Sequence, residues 1–173
     1  MSAPAAATQR QPLAERLASS SDGILEQIAR EYEVSTFAVV DALPKAHRTV
    51  IAGDRFETVM ADISKWGEVL VIVHTADIVL ECKGGLPLGS FSRGYYNVHG
   101  DSPIGGHIKA ENCASIAFVS RSFMGRASCS VQFFNKAGEA MFKVFVRRDA
   151  QRELIASQVA EFEGLRARLE AAN

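Results

Sequence analysis

Between Glu68 and Arg148 the chain offers strand after strand and no helix-sized interval to separate them. "EVLVIVHT" and "DIVLECKG" are runs rich in β-branched residues divided by a short polar break. "SFSRGYYNVHG" is a third candidate, and "HIKAENCASIAFVS" contains a fourth and a fifth. "ASCSVQFFN" and "EAMFKVFVR" flank Lys136, Ala137 and Gly138, with Ala127, Cys129, Val131 and Phe133 alternating against Ser128, Ser130 and Gln132; this is the clearest hairpin in the sequence. A parallel pair needs a crossover of a dozen or more residues, and none of these gaps supplies one. The sheet is therefore predicted to be antiparallel and the fold to be α+β.

Helical patterns bracket this region. From Leu13 to Leu43 apolar residues recur at helical spacing until Pro44 stops them. "DRFETVMADISKW" places Phe56, Val59, Met60 and Ile63 on one side of a further helix. After Asp149, read as an N-cap, Ile155, Val159, Phe162, Leu165 and Leu169 give a closing helix over 150–171 with one buried face. Residues 1–12 are small and polar and predict a disordered tail. Residues 13–173 then form a single domain, made of an N-terminal helical part at 13–45, a sheet at 68–148 and the closing helix.

Within the first helical part, "QIAREYEVSTFAVVDAL" has the outline of a helix-turn-helix, with Val34 at the turn and Ser35 placed to cap the second helix. Charge opposes a DNA-binding role. Asp22, Glu26, Glu31, Glu33 and Asp41 outnumber Arg30, Lys45 and Arg48 across this segment, whereas a phosphate-facing helix needs cations. The whole chain carries a formal charge of −1, so nothing global draws it to nucleic acid or to an anionic membrane. The three cysteines, Cys82, Cys113 and Cys129, match no zinc or redox spacing and suit a reducing compartment. "MSAPAAATQRQP" lacks the basic and apolar regions of a leader, and no run of 18 apolar residues occurs; the expectation is a soluble, cytoplasmic protein.

Catalytic motifs are missing. "GSFSRG" fails as a nucleophile elbow, and there is no Walker A loop, GxGxxG, HExxH or EF-hand loop. The chemistry that remains is in four histidines. His47 falls in a connection after Pro44, and His99 in a turn beside Gly100 and Asp101. His74 ends an apolar strand on the face of Leu70 and Ile72, where a hydrogen-bonded strand-end residue is the ordinary reading. His107 directly follows Gly105 and Gly106; glycines there mark either a bulge or a backbone that lets a ligand approach closely. An imidazole, bare backbone, apolar walls and nearby cations (Arg93, Lys83, Lys109) are compatible with haem, which offers an iron, a flat apolar macrocycle and two propionates.

The segment "GYYNVHGDSPIGGHIKAENCASIAFVSRSFMGRASCSVQFFNKAGEAMFKVFVRRD" resembles the cytosolic haem carrier family of bacterial haem-utilisation systems, the ChuX/HutX type, and weaker similarity runs upstream to "IAREYEVSTFAVVDALP". The resemblance implies a large antiparallel sheet flanked by helices, similar to half of a haem-degrading HemS/ChuS-type protein. It further implies a homodimer, haem bound reversibly as cargo, and delivery to a haem-degrading acceptor in iron acquisition. The family's two haem-contacting histidines fall on His74 and His107, both offered as iron ligands, and its tyrosine alternative falls on Tyr95. Many relatives carry a further histidine just before the glycine of the GYxN motif, where this chain has Arg93. Rival functions are a haem-degrading enzyme of related fold, a helix-turn-helix regulator, and a scaffold that binds a partner through the sheet.

Overall fold

A computed structural model describes residues 10–172; most of the predicted 1–12 tail lies outside the described residues. Three short helices, α1 (Leu13–Ser19), α2 (Leu25–Tyr32) and α3 (Thr36–Asp41), lead into strand β1 (Arg48–Ala52) and helix α4 (Phe56–Ile63). Eight strands follow: β2 (Glu68–His74), β3 (Val79–Gly85), β4 (Ser90–Ser92), β5 (Tyr95–Val98), β6 (Gly106–Ile108), β7 (Cys113–Phe123), β8 (Arg126–Asn135) and β9 (Ala140–Phe145). Helix α5 (Ala156–Ala171) closes the chain. Among the described residues no helix is long and apolar enough to cross a membrane.

The strands form two sheets. The larger has the order β1-β7-β8-β9-β2-β3, and each of its neighbouring pairs is antiparallel. The smaller is β4-β5-β6, and its first two strands come from the segment that the sequence presents as a single strand: "SFSRGYYN" folds back on itself at Arg93 and Gly94, which both take positive φ (54° and 77°) as a two-residue hairpin turn requires. Strand β1 is absent from the sequence reading, because "RTVIA" is only five residues long and lies beside Pro44 and its 3-10 turn. Asp149 does not cap α5. Its carboxylate accepts the amides of Gln151 and Glu153, closing a separate turn, and the helix starts seven residues later.

Each face of the large sheet has its own core. On one side Ile116, Phe118, Val131, Phe133 and Val144 pack with α4, with Phe162 and Leu165 of α5, and with Tyr96 and Val98 of the small sheet. On the other side α1, α2 and α3 cover Ala117, Val119 and Phe134. The helical part packs mainly on β7 and β8, and Glu26 of α2 reaches Lys143 of β9 and His74 of β2 at the rim of an open cleft. The helix-turn-helix outline is built as the sequence suggests, with Ser35 Oγ accepting from Ala38 N at 3.1 Å. Its second helix buries Val39 and Val40 against the sheet, and the one exposed residue of α3 is the acid Asp41. No basic face is left for a DNA groove.

Asp22 ties the helical part to the sheet. Its carboxylate accepts Met124 N (2.8 Å) and Gly125 N (3.1 Å) at the β7–β8 turn, and Gly23 N at 2.7 Å. The hydrogen bonds from Met124, Gly125 and Gly23 hold its pKa below the ordinary aspartate value. A carboxyl depressed in the native state leaves the unfolded chain binding protons more readily. The tie is therefore complete above the ordinary aspartate range and is lost as pH falls through the lowered native value. Asp22→Asn should lower the protection of the Met124 and Gly125 amides against hydrogen exchange at neutral pH, and acid should do the same in the wild type once each rate is divided by the intrinsic exchange rate at that pH.

Candidate functional site

Strand alternation decides where the candidate side chains point. In β5, Tyr96 and Val98 turn inward and are 1% and 2% exposed, while Tyr95 and Asn97 face outward. The two adjacent tyrosines are thereby separated chemically. Tyr96 is a core residue whose hydroxyl accepts Gly89 N at 3.0 Å, and burial raises its pKa. Tyr95 keeps its phenol at the surface. Asn97 pairs across the ladder with His107, so the imidazole joins Tyr95 and Asn97 on the outer face.

The resulting cluster is tight. His107 Nδ1 lies 2.6 Å from Asn97 Oδ1. The Tyr95 and His99 rings meet the imidazole edge-on at centroid distances of 5.9 and 5.4 Å. Lys109 Nζ stands 4.4 Å from the Tyr95 ring centroid, a cation–π contact, and 3.7 Å from Glu111 Oε1. An added Cβ on Gly94 would lie 3.7 Å from the same ammonium, which brings the Arg93–Gly94 turn beside the cluster with Arg93 exposed on it.

Beside β6 opens a cleft of about 360 Å³ between the small sheet and the β2–β9 part of the large one. Val71, Val73, Ile104 and Met141 supply apolar wall, and Gly105, Gly106, His107 and Lys109 line it as well. Gly106 has φ +148°, and a Cβ built there meets nothing within 4 Å. At this position glycine serves both the backbone angle and the open approach. His107, Tyr95, Gly105, Gly106 and Lys109, named separately from the sequence, are thus brought together, with Arg93 at the margin. Asn97 and His99 are additions. Asn97 was legible only as part of the GYxN motif, and its role needed the β5–β6 register; His99 looked like a turn residue.

His74 is elsewhere. Adjacent strand residues face opposite sides, so Val73 lines the glycine-side cleft while His74 lines the cleft on the other face of the sheet. That second cleft, about 440 Å³, is bordered by Leu70, Ile72, Phe145, Arg121 and Gln132, and Lys83 belongs to it too. His74 Nδ1 sits 3.3 Å from Glu26 Oε2, and the other Glu26 oxygen accepts a hydrogen bond from Lys143 Nζ. Both partners of this ion pair are nearly buried, with side chains 11% and 7% exposed. Burial lowers the Lys143 pKa, and the Glu26 charge beside it works against that shift. A single haem in one protomer cannot take both His74 and His107.

The remaining sulfur and imidazole groups are poor candidates. Burial pushes the Cys113 thiol up to about 11 and raises Cys129 as well, which removes their thiolate character. His47 is half-buried in the 3-10 turn after Pro44, rather than solvated, with no partner at Nδ1. Among the described residues no group of three or more His, Cys, Asp or Glu side chains could hold a metal ion by itself.

A family model described as haem utilisation ChuX/HutX matches residues 49–165. The intracellular heme transport protein HutX of Vibrio cholerae serotype O1 is 40% identical over 139 residues, which is 80% of this chain and 72% of that one. A crystal structure of a protein from Erwinia carotovora superposes with TM-score 0.90 at 49% identity, over 92% of this chain and 99% of its own. The structure of the heme binding protein ChuX gives TM-score 0.86 at 45% identity, over 92% and 99%. The heme degrading enzyme ChuS of Escherichia coli O157:H7 shares the fold alone: 11% identity, TM-score 0.74, with 91% of this chain matching 49% of that one. The chain therefore has the architecture of one half of such a protein, and by its sequence it belongs to the ChuX/HutX haem-utilisation family.

Proposed function

We propose that this chain is an intracellular, cytoplasmic haem carrier that holds haem reversibly and passes it to a haem-degrading acceptor. The observation that carries the reading is the cluster of His107, Tyr95 and Lys109 beside the bare backbone of Gly105 and Gly106, at the mouth of an apolar cleft. An imidazole or phenolate serves the iron, the apolar wall takes the macrocycle, and Lys109 with Arg93 serves the propionates. A carrier must also let go. His107 and Tyr95 are exposed, so an acceptor can reach and replace them, whereas the His74 side chain is only 17% exposed and tied to a buried ion pair.

The names of HutX and ChuX, a transport protein and a binding protein, support a carrier over an enzyme. One feature favours His74 as the alternative position for the single haem: its Nδ1 is backed by the Glu26 carboxylate, the kind of support that orients metal-ligating imidazoles. A homodimer is part of the reading. Strand β3 is an edge strand, and Ile78 just before it and Val79 and Leu80 at its start are each more than half exposed, an edge that a second copy would cover.

Haem titration followed by incubation with an electron donor, oxygen and catalase tests the function. The expected result is a Soret shift saturating at one haem per protomer, intact haem after incubation, and transfer to an added apo-acceptor. Absence of a Soret shift would remove the carrier reading; ring opening to a single tetrapyrrole product despite catalase would replace it with the enzyme.

A further inference from the structure

We propose that Asn97 is the positioning residue that sets the tautomer and orientation of His107, making Nε2 the nitrogen offered to iron; the iron-binding half of this inference rests on the haem reading above. The amide of Asn97 has only one workable orientation. Its Nδ2 is ringed by three backbone carbonyls, Ser90 O at 3.2 Å, Ser92 O at 3.1 Å and Tyr95 O at 3.1 Å. A flipped amide would aim an oxygen at three oxygens and give up the two N–H hydrogens that Nδ2 shares among them. Oδ1 must therefore point the other way, and there it meets His107 Nδ1 at 2.6 Å.

An amide oxygen can only accept. The neutral imidazole is consequently protonated at Nδ1, and the lone pair resides on Nε2. An unconstrained neutral histidine prefers the opposite arrangement, with its proton on Nε2, so Asn97 reverses the default and presents the tautomer an iron can use. The carbonyl ring also fixes the ring angle. Asn97 sits mid-strand, directly across the ladder from His107, and the amide is anchored to the β4–β5 hairpin rather than free to rotate. Tyr95 and His99 restrain the imidazole edge-on from its neighbouring positions. A ligand already oriented before haem arrives loses less freedom on coordination.

The test reads the apo protein first, so that it does not depend on haem. Nitrogen-15 and proton correlation spectra of the histidine side chains, above the imidazole titration range, should show His107 protonated at Nδ1 in the wild type and mainly at Nε2 in Asn97→Ala. Asn97→Asp keeps an oxygen acceptor for Nδ1–H but turns its second oxygen onto the three carbonyls, so it should retain the Nδ1–H form while losing the anchor that fixes the ring angle. Haem affinity should fall ~10–100-fold in Asn97→Ala, the usual cost of losing an orienting partner, and by less in Asn97→Asp, which keeps the acceptor but not the anchor. A wild-type ring protonated at Nε2, or a tautomer unchanged in Asn97→Ala, overturns the assignment; so does an Asn97→Ala protein with full haem affinity when His107→Ala has lost it. If Asn97→Ala does not fold, the wild-type and Asn97→Asp spectra decide. If His107→Ala and Asn97→Ala both bind haem normally while the tautomer responds as expected, the orienting role stands, but the placement of haem at His107, and with it the iron-binding half of the inference, is overturned.

Discussion

Replacing His107 by alanine should weaken haem binding by at least ~100-fold, about 2.7 kcal/mol, and move the Soret band of what still binds. The size follows from what the ring does in the proposed site. Removing a residue that merely orients a metal ligand commonly costs 10–100-fold in affinity, and removing the ligand itself should cost no less than the upper end. The protein should remain as stable as the wild type, because His107 is exposed on an outward face and its removal opens no cavity in either core. Tyr95→Phe gives the complementary result. The ring packs edge-on against the imidazole, which phenylalanine retains, so a large affinity loss in this variant alone would transfer the iron to the phenolate. Equilibrium haem titrations beside urea unfolding separate the effects on binding from those on folding.

The second large effect concerns stability. Glu26→Ala should cost about 3–5 kcal/mol, because it leaves the Lys143 ammonium buried on the sheet face without its counter-charge. Replacing both residues at once, Glu26→Leu with Lys143→Met, should be close to neutral or stabilising, since apolar groups of similar volume carry no desolvation cost. The pH profile carries the same information. Burial depresses the native pKa of Lys143, so between that lowered value and the ordinary lysine value the unfolded chain binds more protons than the folded one. Stability therefore rises with pH across this window. Lys143→Met abolishes the slope. In Glu26→Ala the supporting charge is gone, the native value falls further, and the window should extend down toward neutrality. Urea midpoints measured against pH at constant m-value check both the size and the sign.

These two sites differ in how far the sequence discloses them. The outer face of the small sheet is almost fully written in the chain: two glycines, a histidine, a tyrosine and a lysine lie within fifteen residues, and alternation alone sends Tyr96 inward and Tyr95 outward. Register was the missing piece. Without knowing that Asn97 stands across from His107, nothing in "GYYN" and "GGHI" links their side chains. The pairing of Glu26 with Lys143 was harder still. Each carries a local signal, since Glu26 falls among the buried Leu25, Ile28 and Ala29 of α2, and Lys143 alternates with core residues in "MFKVF". Their meeting depends on how α2 docks over the far end of the sheet, a contact between residues 117 positions apart. His74 was placed correctly on the face of Leu70 and Ile72, but which of two clefts that face borders depends on where the helices stop covering it. The large sheet was read as antiparallel for a sound reason, because no crossover was available; its split into two sheets was hidden by the Arg93–Gly94 turn inside one apparent strand.

Locating the iron is the most direct test of the central claim. Crystals soaked with haem and measured at the iron absorption edge give an anomalous peak whose position needs no interpretation of the surrounding density. The expected peak lies on the glycine-side cleft within coordination distance of His107 Nε2, with the porphyrin against Gly105 and Gly106. A peak confined to the Glu26–His74 cleft, with the glycine side unchanged by the soak, would contradict the account.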